Sequence, residues 1–521
     1  MMEFSSVRTL LNDPPNRFNI SRKSKSLVIT VFLFWFISMP VFIYSERNSY
    51  DFEGVRLRIR FLMKRMKTPS ISVAVAKDTR ILWEESFGWA DREKEIKATP
   101  HTMYSLASVS KPITATGLMV LAERGLVDLN QPVNAYLGTA KLRAFEGNVL
   151  EATVERILHH TAGLPMHWHF FYDGDSYKRP SMDETIKRFG ILVSPPGDRF
   201  EYSNLGYGII ESVIERISKK TYPEFMKVEV FEALGLSRTA VFTKAPEENS
   251  AAQRYVENKA AAPFYDFDHR GASAVYSSAH DLVRFGMFHL KNHLPDQKQI
   301  LCDSTIDKMQ RSVDPKLPDS QYKLGWDVGE RNGYKVVSHG GGMTGTRTSL
   351  LLVPSENIAV VVLCNGEYMD LSRIYDSILA VMLPSYRKNH NTRQEIKSSG
   401  ESNKLHSLSQ CEGEWAGKIV TYKGSLPVQL YIHKNGNSRL IFSGTSLSEN
   451  KICEPIKPPR YENGFITADF DGEIPIEETS RCRHKIFLRL KLHENRLSGF
   501  AAAVSYREFF CLPFYIELVK K

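Results

Sequence analysis

Cysteine is scarce in this chain, with six residues among 521 and no C-x-x-C pair. That excludes a scaffold built on disulfides and argues against a structural zinc site. H-E-x-x-H is also missing, so the histidines at 159, 160, 167 and 169 read as packed or surface residues, not a metal centre. A basic module interleaved with aromatics is lacking too. The net charge of +9 comes from lysines and arginines spread along the chain, which gives nucleic acid no footprint. With 42% hydrophobic and 24% charged residues, there is no bias toward disorder. The length corresponds to about two to four domains.

One further absence is informative. From Ser26 to Ser45 there is no charged residue, and the run from Leu27 through Trp35 to Ile43 is strongly apolar. About twenty residues of helix span a ~30 Å hydrocarbon layer. Arg17, Arg22, Lys23 and Lys25 precede the run, which predicts a basic cytoplasmic leader (1–26) and export of the rest of the chain. Residues 27–45 are therefore expected to be a transmembrane anchor or a signal segment. Ser45 is small, as a cleavage site needs, but Ile43 is not. The body is expected to face outward, anchored to the membrane or secreted after cleavage.

Periodicity then predicts a one-sided helix in 51–67 and a hairpin from Ile71 to Trp83. Helices are expected after Ser108, from Val154 to a Gly/Pro turn at Gly163–Pro165, after Leu205 and after a Ser278 cap. Strands are expected within Val336–Gly345, Ser349–Pro354 and Ile358–Leu363. The stretch at 240–265 reads as an insertion. A polar run at 386–408 reads as a linker. Beyond it, Ile419–Tyr422, Val428–Ile432, Phe465–Ala468, Ile486–Leu488 and Phe509–Phe510 are short strands parted by turn residues. Residues 409–521 are thus expected to form an antiparallel β sandwich or small barrel. Cys411, Cys453, Cys482 and Cys511 all fall there, and in an exported domain one or two disulfides among them are expected, with three pairings open.

Chemistry concentrates at Ser108-x-x-Lys111. On a helix, positions i and i+3 share a face, so a hydroxyl and an amine meet. A desolvated lysine of lowered pKa is one way to activate a serine. Tyr202-x-Asn204 places two polar side chains on one side of an extended segment. In His339-Gly340-Gly341-Gly342, the glycines beside a strand admit a ligand or backbone.

Together, Ser108-x-x-Lys111, Tyr202-x-Asn204 and His339-Gly340-Gly341 resemble, in order and spacing, the serine β-lactamase-like family of class C β-lactamases, D-alanyl-D-alanine carboxypeptidases, D-aminopeptidases and esterases. Gly88-Trp89-Ala90-Asp91, Leu158 to Leu164, Pro196-Gly197-x-x-Phe200 and Leu324-Gly325-Trp326 are similar as well. The resemblance covers residues 50–385. It implies an α/β (α+β) fold: an antiparallel sheet flanked by helices, with an all-α region inserted between early and late strands. It implies Ser108 as the acylated nucleophile, Lys111 as its proton acceptor and Tyr202 as the second acid/base. Asn204, His339, Gly340 and Gly341 would bind substrate, with the backbone N–H groups of Ser108 and Gly342 as the oxyanion hole. No metal or other cofactor is implied.

The expected activity is that of an extracytoplasmic serine hydrolase taking a small ester, amide or D-amino-acid peptide. D,D-carboxypeptidase or β-lactamase work on cell-wall peptides or β-lactams is a second reading, and a non-catalytic scaffold of the same fold is a third. The departure from the family pattern is His339, where tight penicillin binders carry lysine. A histidine of ordinary pKa, about 6.5, is mostly neutral at pH 7. Arg347 is the alternative anchor for a substrate carboxylate.

Overall fold

The computed structural model describes residues 50–521, apart from 175–176, 248–249, 387–407, 434–437, 444–450 and positions 463, 481 and 508. The expected leader, the apolar segment at 27–45 and nearly all of the expected linker lie outside the described residues. Among the described residues, no helix is long and apolar enough to cross a membrane.

The first helix, Glu53–Met66, buries Val55, Ile59 and Leu62 and turns its basic residues outward. Lys67 ends it in the left-handed region and leads into the hairpin Ser70–Lys77 and Arg80–Asp91. These strands enter a seven-stranded antiparallel sheet in the order Asp327–Arg331, Tyr334–Met343, Thr346–Val353, Ile358–Cys364, Ser70–Lys77, Arg80–Asp91 and Ile96–Lys97. Early and late chain therefore meet at the centre of the sheet, where Val73 faces Val362 and Val75 faces Val360.

Side chains on a strand alternate between faces, and the central strands are apolar on both. Val73, Val75, Val360 and Val362 pack under Glu53–Met66 and Ser372–Met382. Ala74, Ala76, Val361 and Leu363 face the opposite core, with Ala279–His289 above them. Between Ile96–Lys97 and Asp327–Arg331 lies a chiefly helical region. It carries Ser110–Glu123, Asn204–Ser218 and Ala279–His289, the last capped by Ser278 as expected, and includes a few short strand pairings.

The C-terminal part closes completely. Its eight strands are Gly413–Thr421, Gly424–Ile432, Ser438–Phe442, Lys451–Glu462, Phe465–Asp471, Lys485–His493, Arg496–Ser505 and Phe510–Lys520. Each pairs antiparallel with its neighbour, and the last returns to the first, with Ala416 opposite Val519. It is a barrel and not a sandwich, and closure leaves no free edge. Of the strands that were not expected, Lys451–Glu462 is the most instructive. Pro455, Pro458 and Pro459 interrupt its sequence, and its register slips twice along this run. Proline within a strand reads as a break unless a bulge absorbs it.

The expected disulfides are not formed, and all six cysteines are free thiols. Cys411 and Cys453 are buried in the same apolar core as the barrel interior, whereas Cys511 belongs to a separate cluster at the junction with the rest of the chain. Spacing along the sequence did not reveal that the barrel separates them.

The barrel shares a sheet with the rest of the chain. Phe510 and Cys511 pair with His169 and Trp168 of Trp168–Tyr172, and that strand pairs in turn with Tyr265–Phe267. Ion pairs cross the same junction: Arg496 grips Glu146 at 2.7 and 3.2 Å, and Arg489 reaches Glu201 at 3.1 Å. Arg188 lies 2.6 Å from the fully buried Glu478, which also accepts from Tyr422 at 2.5 Å. Removing one partner of a buried pair costs about 3–5 kcal/mol, whereas apolar replacement of both is often neutral. Arg188→Met is therefore expected to destabilise the protein by about that amount in denaturant unfolding, and R188M/E478L to recover most of the loss.

Candidate active site

Tyr104–Ser105 pairs with Val275–Ser277, after which the chain makes a single 3₁₀ turn, Ala107–Val109, into the helix Ser110–Glu123. Ala107 stands at φ +49°, a conformation that costs a side chain of order 1 kcal/mol or more and persists where the surroundings impose it. The surroundings do so here. Thr346 and Thr348 donate their hydroxyls to the carbonyls of Ser105 and Leu106, at 3.0 and 2.6 Å. Gly341 lets its strand lie against this turn, since a Cβ there would come within 2.2 Å of both Leu106 O and Thr348 Oγ1. The sheet thus locks the turn that carries Ser108.

The helix is buried from Ser110 through Leu121, and Lys111 goes with it, at 0% exposure. Its Nζ lies 3.2 Å from Ser108 Oγ, 2.8 Å from Asn204 Oδ1 and 3.3 Å from the carbonyl of Ala272. Among the described residues no carboxylate pairs with it. Burial without a counter-charge pulls its pKa well below the ordinary lysine value. A neutral amine has two N–H donors and one lone pair. In that form, with Asn204 and Ala272 taking the two donors, the lone pair would be left for the hydroxyl of Ser108.

Tyr202 and Asn204 sit where Ser203 caps the helix Asn204–Ser218. Tyr202 lines the same cavities as Ser108, and burial pushes its pKa up. Its ring lies 4.7 Å from Lys111 Nζ and 4.4 Å from the His160 ring. The Ser203 N–H donates to His160 Nδ1 at 3.1 Å, so His160 buttresses the Tyr202–Asn204 segment. Asn204 Nδ2 donates to the carbonyl of His167 at 2.9 Å. Lys111 therefore joins Ser108 and Asn204 by hydrogen bonds, with the Tyr202 ring packed against its amine.

His339 and Gly340 line a cavity of about 580 Å³ with Ser108 and Tyr202, walled by Phe200, Tyr322 and Asp327. His339 Nδ1–H donates to Gly340 O at 2.8 Å, and Nε2 accepts from the Tyr322 hydroxyl at 3.0 Å. Burial, with Lys111 nearby, holds the His339 pKa down at about 3, so at neutral pH it is no cation. On the other side of Ser108, Gly342, Arg347, Asn204 and His269 line a second cavity of about 830 Å³. Gly341 lines neither cavity and lies behind the turn. Arg347 spends one guanidinium nitrogen on the carbonyls of Met343 and Thr346.

Sequence reasoning missed His160, Tyr322 and the pair Asp268–His269. Signals existed for two of them: Tyr322 lies two residues before Leu324-Gly325-Trp326, and His160 lies within the Leu158–Leu164 stretch. The four clustered histidines do not converge. His159 meets Tyr322 O and Ser312, and His169 packs on Phe171. His167, Asp268 and His269, and separately Glu84, His101 and His280, each bring three donor atoms within 4.8 Å. In the first group, imidazole N–H groups at 2.9 and 2.7 Å satisfy both Asp268 oxygens. In the second, His280 lies 2.8 Å from Glu84.

A sheet packed between helices, with Ser108 on the turn that enters a buried helix and a chiefly helical region inserted between early and late strands, is the α/β fold of serine β-lactamases. Residues 56–381 match the Beta-lactamase family, and the chain belongs to it. Protein flp of Staphylococcus aureus is 24% identical over 308 residues, or 58% of this chain and 61% of that one. Unguisins hydrolase ungD' of Aspergillus campestris is 27% identical over 329 residues, 60% of this chain and 61% of its own. The chain thus matches about three fifths of the length of these curated relatives. The octameric penicillin-binding protein homologue from Pyrococcus abyssi superposes with a TM-score of 0.55 at 23% identity, covering 90% of this chain and 100% of that one.

The two inner glycines differ in a way that unfolding measures. Gly341→Ala is expected to destabilise by about 1–3 kcal/mol through overpacking against the turn. A Cβ on Gly340 meets only one carbonyl oxygen, at 4.0 Å, and Gly340→Ala is expected to stay within about 0.5 kcal/mol of the parent.

Proposed function

We propose that this protein is an acyl-serine hydrolase of small esters, amides or D-amino-acid peptides. The observation that carries the proposal is the buried, unpaired Lys111 amine 3.2 Å from Ser108 Oγ. Lys111 Nζ takes the Ser108 proton as Oγ attacks the substrate carbonyl. The N–H groups of Ser108 and Gly342 receive the oxyanion, where losing one donor typically costs ~2.7–4 kcal/mol. Tyr202 hands a proton to the leaving group as the C–N or C–O bond breaks. Lys111 passes the proton it took from Ser108 to Tyr202, which restores both, and water then attacks the acyl-serine, one of its protons returning to Ser108 Oγ and the other leaving with the acid. The apolar segment at 27–45 supports an anchored or secreted location, with a peptide or small molecule as partner and the membrane met only through that segment.

A neutral His339 gives a β-lactam carboxylate no fixed charge on that side, which weighs against penicillin turnover. Arg347, together with Arg507 from the barrel, lines the second cavity and supports the alternative substrate, a peptide bearing a carboxylate. The experiment is intact-mass measurement of the full-length chain after fluorophosphonate and, separately, after penicillin, beside Ser108→Ala. A Ser108-dependent fluorophosphonate adduct without a penicillin adduct is expected. Adducts with both would favour the carboxypeptidase reading, and none in folded protein would leave a scaffold.

The pH dependence is set by Lys111. Protonation removes the acceptor, so the rate of fluorophosphonate labelling is expected to fall as pH drops through the depressed Lys111 pKa. Because burial raises the Tyr202 pKa, no second fall is expected up to about pH 10, the ordinary phenol value. Lys111→Ala is expected to slow labelling by about 10²–10⁴-fold at neutral pH.

A further inference from the structure

The cavity of about 830 Å³ beside Ser108 is built from three parts of the chain. Met166, Trp168 and Phe170 come from the strand that joins the barrel sheet, and Met343 from the edge of the main sheet. Phe509 comes from the last hairpin of the barrel and stacks on Phe170 at 5.6 Å with ring planes 14° apart. One ring in this mostly apolar wall is a buried histidine, His269, at 1% exposure. Its Nδ1–H donates to Asp268 Oδ1 at 2.7 Å, and Asp268 Oδ2 accepts from His167 Nε2–H at 2.9 Å. Two donors thus hold the carboxylate, and the pairing fixes the His269 tautomer with its proton on Nδ1. Nε2 is left as a bare acceptor, with no hydrogen-bond partner among the described residues.

An acceptor without a protein partner, on a buried ring beside the apolar part of a cavity whose rim carries Arg347, Arg507, Glu257 and Glu367, calls for a donor from whatever fills it. We propose that His269, oriented by Asp268, is a specificity-determining acceptor in this cavity, and that the cavity takes an apolar or aromatic substrate group carrying an N–H or O–H. Burial lowers the His269 pKa against the opposing pull of Asp268. The ring therefore stays neutral and accepting. The adjoining turn strengthens the link to the reaction, because Ala272, three residues on, accepts from Lys111. The inference rests on the acyl-serine reading only for its use in turnover.

Ligand-observed NMR titration of full-length Ser108→Ala protein with 3-phenylpropan-1-ol and with its methyl ether tests the binding without turnover. The two probes share an apolar body and differ in one donor. The alcohol is expected to bind about three- to tenfold tighter, the range of one hydrogen bond. His269→Asn keeps an N–H for Asp268 and removes the cavity-facing acceptor, and is expected to bring the ratio to about one. Phe509→Ala, on the more open opposite wall, is expected to weaken both probes alike with the ratio kept. A ratio near one in the Ser108→Ala parent overturns the proposal. So does a ratio unchanged by His269→Asn, or affinities indifferent to Phe509→Ala. Fluorophosphonate labelling of Ser108 is read separately: a ratio that persists without labelling keeps the subsite and removes the acyl chemistry, and labelling without a ratio does the reverse.

Discussion

An amine buried without a counter-charge is the constraint on which this structure turns. Lys111 lies fully inside a helix that is apolar on nearly every side, and no acid shares its pocket among the described residues. A lone ammonium would carry a heavy desolvation penalty there, so the neutral form is favoured and its lone pair falls to Ser108. Asn204 and Ala272 satisfy the remaining N–H groups, and each is held by its own support. Asn204 is fixed through the His167 carbonyl and the Ser203 cap. Ala272 lies on the short helix whose Gly271 N–H donates to the buried Glu211.

The same economy explains the two sides of the cleft. Around His339 the groups are satisfied among themselves, with imidazole donating to a carbonyl and accepting from Tyr322. That side presents neutral polar edges. The opposite side is mostly apolar, with His269 as its buried polar edge and arginines from the sheet and from the barrel hairpin at the wall. The barrel is therefore part of the cleft. Its last strand extends the sheet of Trp168–Tyr172, and the turn before that strand lies beside Ser108.

Several elements were legible because their cause is local. The first hairpin, the strands from Val336 to Leu363 and the helix after Ser278 arise from alternation or capping within a few residues. Ser108 and Lys111 are three apart, and helix geometry alone brings them together. The strand Lys451–Glu462 was hidden because its prolines are absorbed by register slips that depend on its neighbour. His160, Tyr322 and His269 were hidden because nothing in their own segments marks their roles. They matter through what packs against them.

What the sequence by itself determined is the chemistry available: a serine and a lysine three residues apart, a Tyr-x-Asn pair, a glycine run at a strand end, and an antiparallel β-rich tail. Local stereochemistry and hydrophobic period suffice for these, because each depends on residues a few positions apart. Only the tertiary structure decided that Lys111 has no carboxylate partner among the described residues, that no disulfide joins the cysteines, and that the barrel hairpin lines the cavity beside Ser108. Those outcomes depend on burial and on contacts between residues up to several hundred positions apart, and neither quantity is a property of any single stretch of chain.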